Sequence, residues 1–247
     1  MFTSIKTKKL QISAALLLAL GLSACGDDEV EVEVIREVEV IVEVPAPIPD
    51  PVDYSYQVTV TNLTNSQPLS PVAVVLHTSG NLWTIGGVPS VELERMAEGG
   101  DNSGLLSLGM ASASGMGAIG PGGNETISVT IQDVMDAKLS VATMLVNTND
   151  GFSGLNALGL GQLAVGESWS ANAGVYDSGT EVNSEAAGTM PGPADGGEGF
   201  NAMRNDTGYV SMHPGVVTSD DGLGTSVLTV EHKFDNPAIR IMVTRTE

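Results

Sequence analysis

The stretch Tyr56-Gln57-Val58-Thr59-Val60-Thr61-Asn62 alternates apolar and polar side chains, which is the period of a β-strand with one buried face. Val72 to Leu76 and Leu139 to Val146 are more continuously apolar, as central strands covered on both faces are. Further short runs follow the same rules: Thr126 to Ile131, Trp169 to Val175, Gly208 to Met212, Val227 to Val230 and Pro237 to Arg245. About eight short strands between Gly, Pro and Asn turns predict an all-β fold, a two-sheet antiparallel β-sandwich.

The pattern also predicts one short helix and long irregular loops. Ser90 is a good N-cap, Glu92 suits the first helical turn, and Gly99-Gly100 ends the helix. The chain has 30 Gly but only 10 aromatic residues among its 247, which is typical of a loop-rich sandwich. Gly104 to Gly123 and Thr189 to Gly208 are predicted to be irregular loops.

Residues 1–24 have the features of a lipoprotein signal peptide. Basic Lys6, Lys8 and Lys9 precede the apolar run 14–22, which is too short to span a membrane as a helix. Small residues in Leu22-Ser-Ala-Cys25 precede the sole cysteine, so we expect Cys25 to carry a lipid. Gly26 in the next position favours the outer membrane of a bacterial cell envelope. An ordinary signal peptide with a chance cysteine is the alternative.

Residues 25–53 are predicted to be a tether between the anchor and the domain at 54–247. The run EVEVEVIREVEVIVEV from Glu29 alternates Glu with Val, and prolines follow at 45, 47, 49 and 51. Like charges at every second position extend a chain, and prolines stiffen it. By period alone the same run is a half-polar strand, so self-association through this segment is the alternative.

The charge balance limits the partners of this protein. Without the three signal lysines, 7 basic residues face 30 acidic ones, a net charge of −23. Nucleic acid needs a basic surface, so it is excluded as a partner. An acidic exported domain suits divalent cations instead. With one cysteine there is no internal disulfide, and the fold depends on its core or on bound ions.

Two acid-bearing segments stand where apolar runs end. They are Asn147 to Asn156, which contains Asp150, and Tyr176 to Glu181, which contains Asp177. Ca²⁺ takes many oxygen ligands from flexible loops, and Gly179 allows the backbone to curl between the acids. On the residues alone, solvated turns that simply favour acids explain these segments equally well.

From about Tyr56 to Arg245 the chain resembles the spondin N-terminal (F-spondin) domain of animal matrix proteins and bacterial lipoproteins. The resemblance is carried, in order and spacing, by Leu69-Ser-Pro71, Leu82-Trp-Thr-Ile-Gly-Gly87, Glu94 to Asn102, Ser140 to Asn156, Tyr176 to Glu181 and Pro237 to Arg245. It implies a C2-like sandwich with one Ca²⁺ ion and a role in adhesion, with extracellular or envelope proteins or glycans as ligands.

The resemblance also implies the metal ligands, which match Asp150, Asp177 and Glu181. The chain departs from the animal pattern at Glu181, where Asp is usual, and at Gly151, where a bulky residue is usual. Asn149, Asn156 and Asn183 are further possible oxygen donors, ranked below the acids.

No catalytic pattern is recognisable, so we expect a non-enzymatic protein. The three histidines lack zinc-site spacing, and Gly115-Met-Gly-Ala-Ile-Gly120 is not followed by a helix as a dinucleotide site requires. Asp220-Asp221-Gly222 is compatible with a second cation turn or with a plain β-turn. Two other functions remain open: an envelope carbohydrate-active hydrolase that uses loop carboxylates, and a self-assembling structural envelope protein.

Overall fold

The computed structural model describes residues 10–12, 40–42 and 48–247, and it falls into two units, Met1–Asp50 and Pro51–Glu247. In the first unit, strand β1 (Leu10–Ile12) pairs antiparallel with β2 (Val40–Val42), Leu10 opposite Val42. The signal cleavage box, Cys25 and most of the predicted tether lie outside the described residues. Within the described residues, no helix combines the length and the apolar character that crossing a membrane requires.

The second unit contains a six-stranded antiparallel sheet. Its strands are β4 (Ala73–His77), β5 (Ala111–Ser114), β7 (Lys138–Met144), β8 (Gly151–Gly159), β10 (Val175–Asp177) and β11 (Ser211–Met212). They are arranged in the order β11-β10-β8-β7-β4-β5. This order places the start of β8 beside the end of β10, because Gly151 pairs with Asp177.

The remaining strands form a four-stranded antiparallel sheet. They are β3 (Asp53–Asn62), β6 (Asn124–Gln132), β9 (Ser168–Ala173) and β12 (Ile239–Arg245), in the order β6-β3-β12-β9. Val58 of β3 pairs with Val243 of β12, and both are buried. The alternation at 56–62 thus turns one face of β3 into the core, and the predicted two-sheet sandwich is confirmed.

The six-stranded sheet is covered on both faces. Val74 and Leu76 of β4 belong to the core shared with the four-stranded sheet. Ala73 and Val75, which point to the opposite face, pack in a second cluster with residues of the helix. Two covered faces favour apolar side chains at successive positions, which explains the run Ala73 to Leu76 in β4 and the mostly apolar β7, where the buried Ser140 and Thr143 interrupt the run.

The helix that covers the outer face is the predicted one. Helix α1 (Val91–Gly99) begins after Ser90, whose hydroxyl accepts a hydrogen bond from the Leu93 amide at 3.2 Å. It ends at Gly100, which has a φ of 69° and donates to the Met96 carbonyl. Leu93 and Met96 are fully buried against the sheet.

Three predictions about local structure are wrong. The supposed loop 104–123 contains strand β5, and helix α2 (Ser103–Leu106) runs into its start. The stretch 227–230 is not a strand; a short 3-10 helix covers Val230–His232 instead. Residues 151–156, part of the acid-bearing segment that we expected to follow the end of a strand, belong to β8. In each case the secondary structure was decided by whether a neighbouring strand pairs with the segment, and not by its local composition.

Candidate metal centre

Asp150 lies in the turn that joins β7 to β8. The hydroxyl of Thr148 closes this turn by accepting a hydrogen bond from the Gly151 amide at 2.9 Å. Since Gly151 is paired with Asp177, the turn lies against the segment that follows β10. The Ser178 amide donates to the Asp150 carbonyl across this junction. Strand pairing therefore brings two acidic segments together that are about 25 residues apart in the chain.

The carboxylate of Asp150 is fully buried, with a relative exposure of 0%. Its Oδ2 accepts hydrogen bonds from the Ser178 hydroxyl at 2.9 Å, the Thr180 amide at 2.8 Å and the Glu181 amide at 3.1 Å. Its Oδ1 is buried and has no hydrogen-bond partner among the described residues. A buried polar atom without a hydrogen-bond partner destabilises the folded protein by about 1–3 kcal/mol. A ligand bound to this oxygen would remove that penalty.

Gly179 makes the turn around Asp150 possible. Its φ is 72°, a conformation that residues with a side chain rarely adopt. A Cβ atom at this position would also collide with the Tyr209 carbonyl oxygen. The sequence-based prediction that Gly179 curls the backbone between Asp177 and Glu181 is consistent with this geometry.

Asp177 and Glu181 are held by amide groups of the same turn and its neighbours. Asp177 Oδ1 accepts from the Gly179 amide at 2.7 Å, and Oδ2 accepts from Asn183 Nδ2 at 2.6 Å. Glu181 Oε1 accepts from Asn149 Nδ2 at 3.1 Å. The two asparagines predicted as minor oxygen donors at this place thus touch the acids, with their nitrogen atoms facing the carboxylates.

Burial and repulsion between neighbouring negative charges raise the pKa values of Asp150 and Glu181. Burial raises the pKa of Asp150 to about 6, and the charge of Asp177 adds to the rise. Burial also raises the pKa of Glu181 to about 7, with further contributions from Glu98, Asp150 and Glu198. A buried carboxylate with a raised pKa is stabilised by a bound cation or by a proton.

The structure places the three predicted ligands in one neighbourhood without assembling them around a point. Within the part of the chain described, no group of three or more His, Cys, Asp and Glu side chains is arranged to hold a metal ion. Asn156 is remote from the acids, because it binds the Leu82 amide and the Trp83 carbonyl.

Besides Glu198, whose charge also raises the pKa of Glu181, two acids near the site were not predicted from the sequence. Glu98, at the end of α1, is 1% exposed and contributes to the raised pKa of Glu181. Burial raises the pKa of Asp206, and the charge of Asp177 raises it further. Neither acid stands in a distinctive local motif, so only the packing of α1 and the 203–210 loop reveals them.

The acidic turn at Asp220-Asp221 is engaged in hydrogen bonds within the domain. Asp220 Oδ2 accepts from the Val230 amide at 2.7 Å. Asp221 Oδ2 accepts from Lys233 Nζ at 2.7 Å and from the Thr218 hydroxyl. These contacts account for the two acids as a closed surface turn.

Ca²⁺ fits the chemistry of the donor set around Asp150. It prefers hard oxygen ligands, and the site offers carboxylates on two adjoining turns. The unpartnered Oδ1 of Asp150 is the feature that a cation would satisfy. Comparison with known proteins yields no matching protein-family model and no matching curated protein.

Proposed function

We propose that this protein is a lipid-anchored, exported, non-enzymatic binding or adhesion module, stabilised by one Ca²⁺ ion. The observation that carries the proposal is the buried Oδ1 of Asp150, which has no hydrogen-bond partner in the described part of the chain and lies beside two further acids. The β-sandwich and the resemblance to spondin N-terminal domains support it. The anchor would be a lipid on Cys25 in the bacterial cell envelope, with the acidic tether holding the domain off the membrane.

Asp150, Asp177 and Glu181 would hold the ion. The ion would supply positive charge to a buried carboxylate that otherwise lacks a partner on one oxygen. Asn149 and Asn183 now compensate part of the charge of Glu181 and Asp177, so their amide groups would be released or turned on binding. The role of the ion is thus to link the β7–β8 turn to the turn after β10.

Adding 10 mM Ca²⁺ to the chelated protein should raise its melting temperature by about 3 to 10 °C. A site with a Kd on the order of 10⁻⁴ to 10⁻³ M gains about 1.4 to 2.7 kcal/mol at that concentration. In a domain of this size each kcal/mol shifts the melting temperature by about 2 to 4 °C. Differential scanning calorimetry with and without EDTA measures the effect.

The rise should vanish in the double variant Asp177→Asn, Glu181→Gln. The matched control is Asp235→Asn, Glu231→Gln, which removes the same charge from two exposed side chains outside the turn. The control should keep the full rise. An unchanged melting curve of the parent protein with and without EDTA would exclude the calcium site.

Replacing Cys25 with alanine should release the protein from the membrane fraction. A lipid-modified cysteine is the proposed attachment, and the variant cannot accept the lipid. Cell fractionation followed by immunoblotting measures the distribution, and processing of the parent should be blocked by globomycin. The control Ser23→Ala keeps a small residue in the cleavage box and should remain membrane-bound. Membrane retention of Cys25→Ala would contradict the anchor.

A further inference from the structure

Three loops next to the acidic centre expose large apolar side chains. The loops cover residues 85–90, 180–182 and 203–210, and we call their combined surface, together with Val91 at the start of α1, the loop face. Val88 and Met203 are each 78% exposed. Six exposed apolar side chains belong to it: Ile85, Val88, Val91, Val182, Met203 and Tyr209. Single exposed apolar residues are ordinary, whereas several on adjoining loops mark an interaction surface.

Backbone hydrogen bonds join the first loop to the third. The Gly86 amide donates to the Val210 carbonyl at 2.7 Å, and the Val210 amide donates to the Gly87 carbonyl at 2.8 Å. Arg204 Nη2 also donates to the Pro89 carbonyl at 3.1 Å. These bonds fix the loops that carry Val88 and Met203 as neighbours.

The second loop is joined to the third in the same way. The Asn205 amide donates to the Thr180 carbonyl at 3.0 Å, and the Val182 amide donates to Asn205 Oδ1 at 2.9 Å. The loop face is therefore held in place before any partner arrives, which limits the ordering cost of binding.

The charge of the loop face is negative. Its acids are Glu181 and Asp206, and its sole cation is Arg204. Arg204 is not available to a partner acid, because its guanidinium forms a bidentate pair with the buried Glu94, at 2.7 and 3.0 Å. A partner that covers this surface must therefore supply positive charge together with apolar side chains.

We propose that the loop face binds a segment of a partner protein that combines Lys or Arg with large apolar side chains. The apolar residues of the segment would cover Val88 and Met203, and its cations would face Asp206 and, in the ion-free protein, Glu181. A second copy of this chain does not fit, since two strongly acidic domains repel each other. Anionic lipid headgroups are disfavoured for the same reason. This inference rests on the proposed binding function but not on the calcium ion.

A fluorescein-labelled peptide of alternating Lys and Leu pairs, twelve residues long, tests the proposal by fluorescence anisotropy in EDTA. Comparison peptides replace Leu with Gly or Lys with Glu. The double variant Val88→Ser, Met203→Ser should weaken binding of the Lys/Leu peptide at least 10-fold. The matched control Met116→Ser, Val165→Ser changes side chains that are 96% and 61% exposed outside the loop face, and it should bind like the parent.

The Lys/Gly peptide should bind weakly and equally to all three proteins, because it reports charge alone. Equal affinity of the Lys/Leu peptide for both double variants would overturn the proposal. So would equally tight binding of the Glu/Leu peptide, or binding to phosphatidylcholine vesicles that depends on Val88 and Met203. Because no calcium is present, these results are independent of the melting experiment that tests the metal site.

Discussion

Replacing Glu185 with alanine should lower the free energy of unfolding by about 3 kcal/mol. Glu185 is 3% exposed, and its carboxylate accepts hydrogen bonds from the Val217 and Thr218 amides and from the Ser226 hydroxyl. Truncation leaves these donors without their charged partner, and two of them belong to residues that are buried. Hydrogen bonds to charged groups contribute about 1.5 to 3 kcal/mol each, and they are not additive.

Glu185 also connects the 216–228 segment to the candidate metal centre. Its amide donates to Asn149 Oδ1 at 3.2 Å, and Asn149 in turn donates to Glu181. Glu185→Ala keeps this amide, so we expect it to loosen mainly the 216–228 segment, whose donors lose the carboxylate, and the turn that carries Asp150 to a smaller extent.

Urea unfolding followed by circular dichroism measures the loss of stability. The variant Glu185→Gln keeps one acceptor oxygen and should lose about half as much stability. Glu231→Ala removes an exposed acid whose carboxylate forms no hydrogen bond with the residues that the structure describes, and it should change the free energy of unfolding by less than about 0.5 kcal/mol. Equal stability of Glu185→Ala and Glu231→Ala would contradict this account.

In EDTA, the stability that Asp150 contributes should fall by about 2 kcal/mol between pH 4.5 and pH 7.5. Burial raises the pKa of this carboxyl from 3.8 to about 6, so the folded protein binds its proton more tightly than the unfolded chain does. The resulting stability is fully present below pH 4 and is lost as the pH rises through 6. Asp150→Asn abolishes the titration while retaining an acceptor oxygen for the turn.

The measurement is the difference in free energy of unfolding between the parent and Asp150→Asn at each pH. Burial lowers the pKa of His213 to about 4, which makes acid destabilising, but this contribution is present in both proteins and cancels in the difference. A flat difference across this pH range would show that Asp150 is not perturbed.

Calcium should reverse this loss of stability with rising pH, because the ion stabilises the charged form of Asp150. At 10 mM Ca²⁺ the parent should gain more stability at pH 7.5 than at pH 5, where protons compete for the same oxygens. Equal gains at both pH values would mean that the ion binds elsewhere.

Much of the fold could be predicted from residue patterns. Alternation at 56–62 and 237–245 marks strands with one buried face, and predominantly apolar runs mark the central strands β4 and β7. Helix α1 could be predicted because Ser90 and Gly100 are local capping signals. The signals of this kind are short-range, since hydrophobic period and capping depend on neighbours within a few residues.

Strands β5 and β8 could not be predicted in this way. Ala-Ser-Ala-Ser and Gly-Phe-Ser-Gly have weak or mixed preference for strands, and they become strands because β4, β7 and β10 pair with them. The acidic residues of the candidate site could be selected from the sequence, whereas their surroundings could not.

Residue order and composition specified an antiparallel sandwich, its capped helix and three acids at strand ends. Only tertiary structure decided that Asp150 is fully buried, that one of its oxygens lacks a partner among residues 48–247, and that Glu98 and Asp206 join its neighbourhood. The physical reason is that desolvation and repulsion between charges depend on distance in space. Those distances are set by β8–β10 pairing and by the packing of α1, which local sequence does not encode.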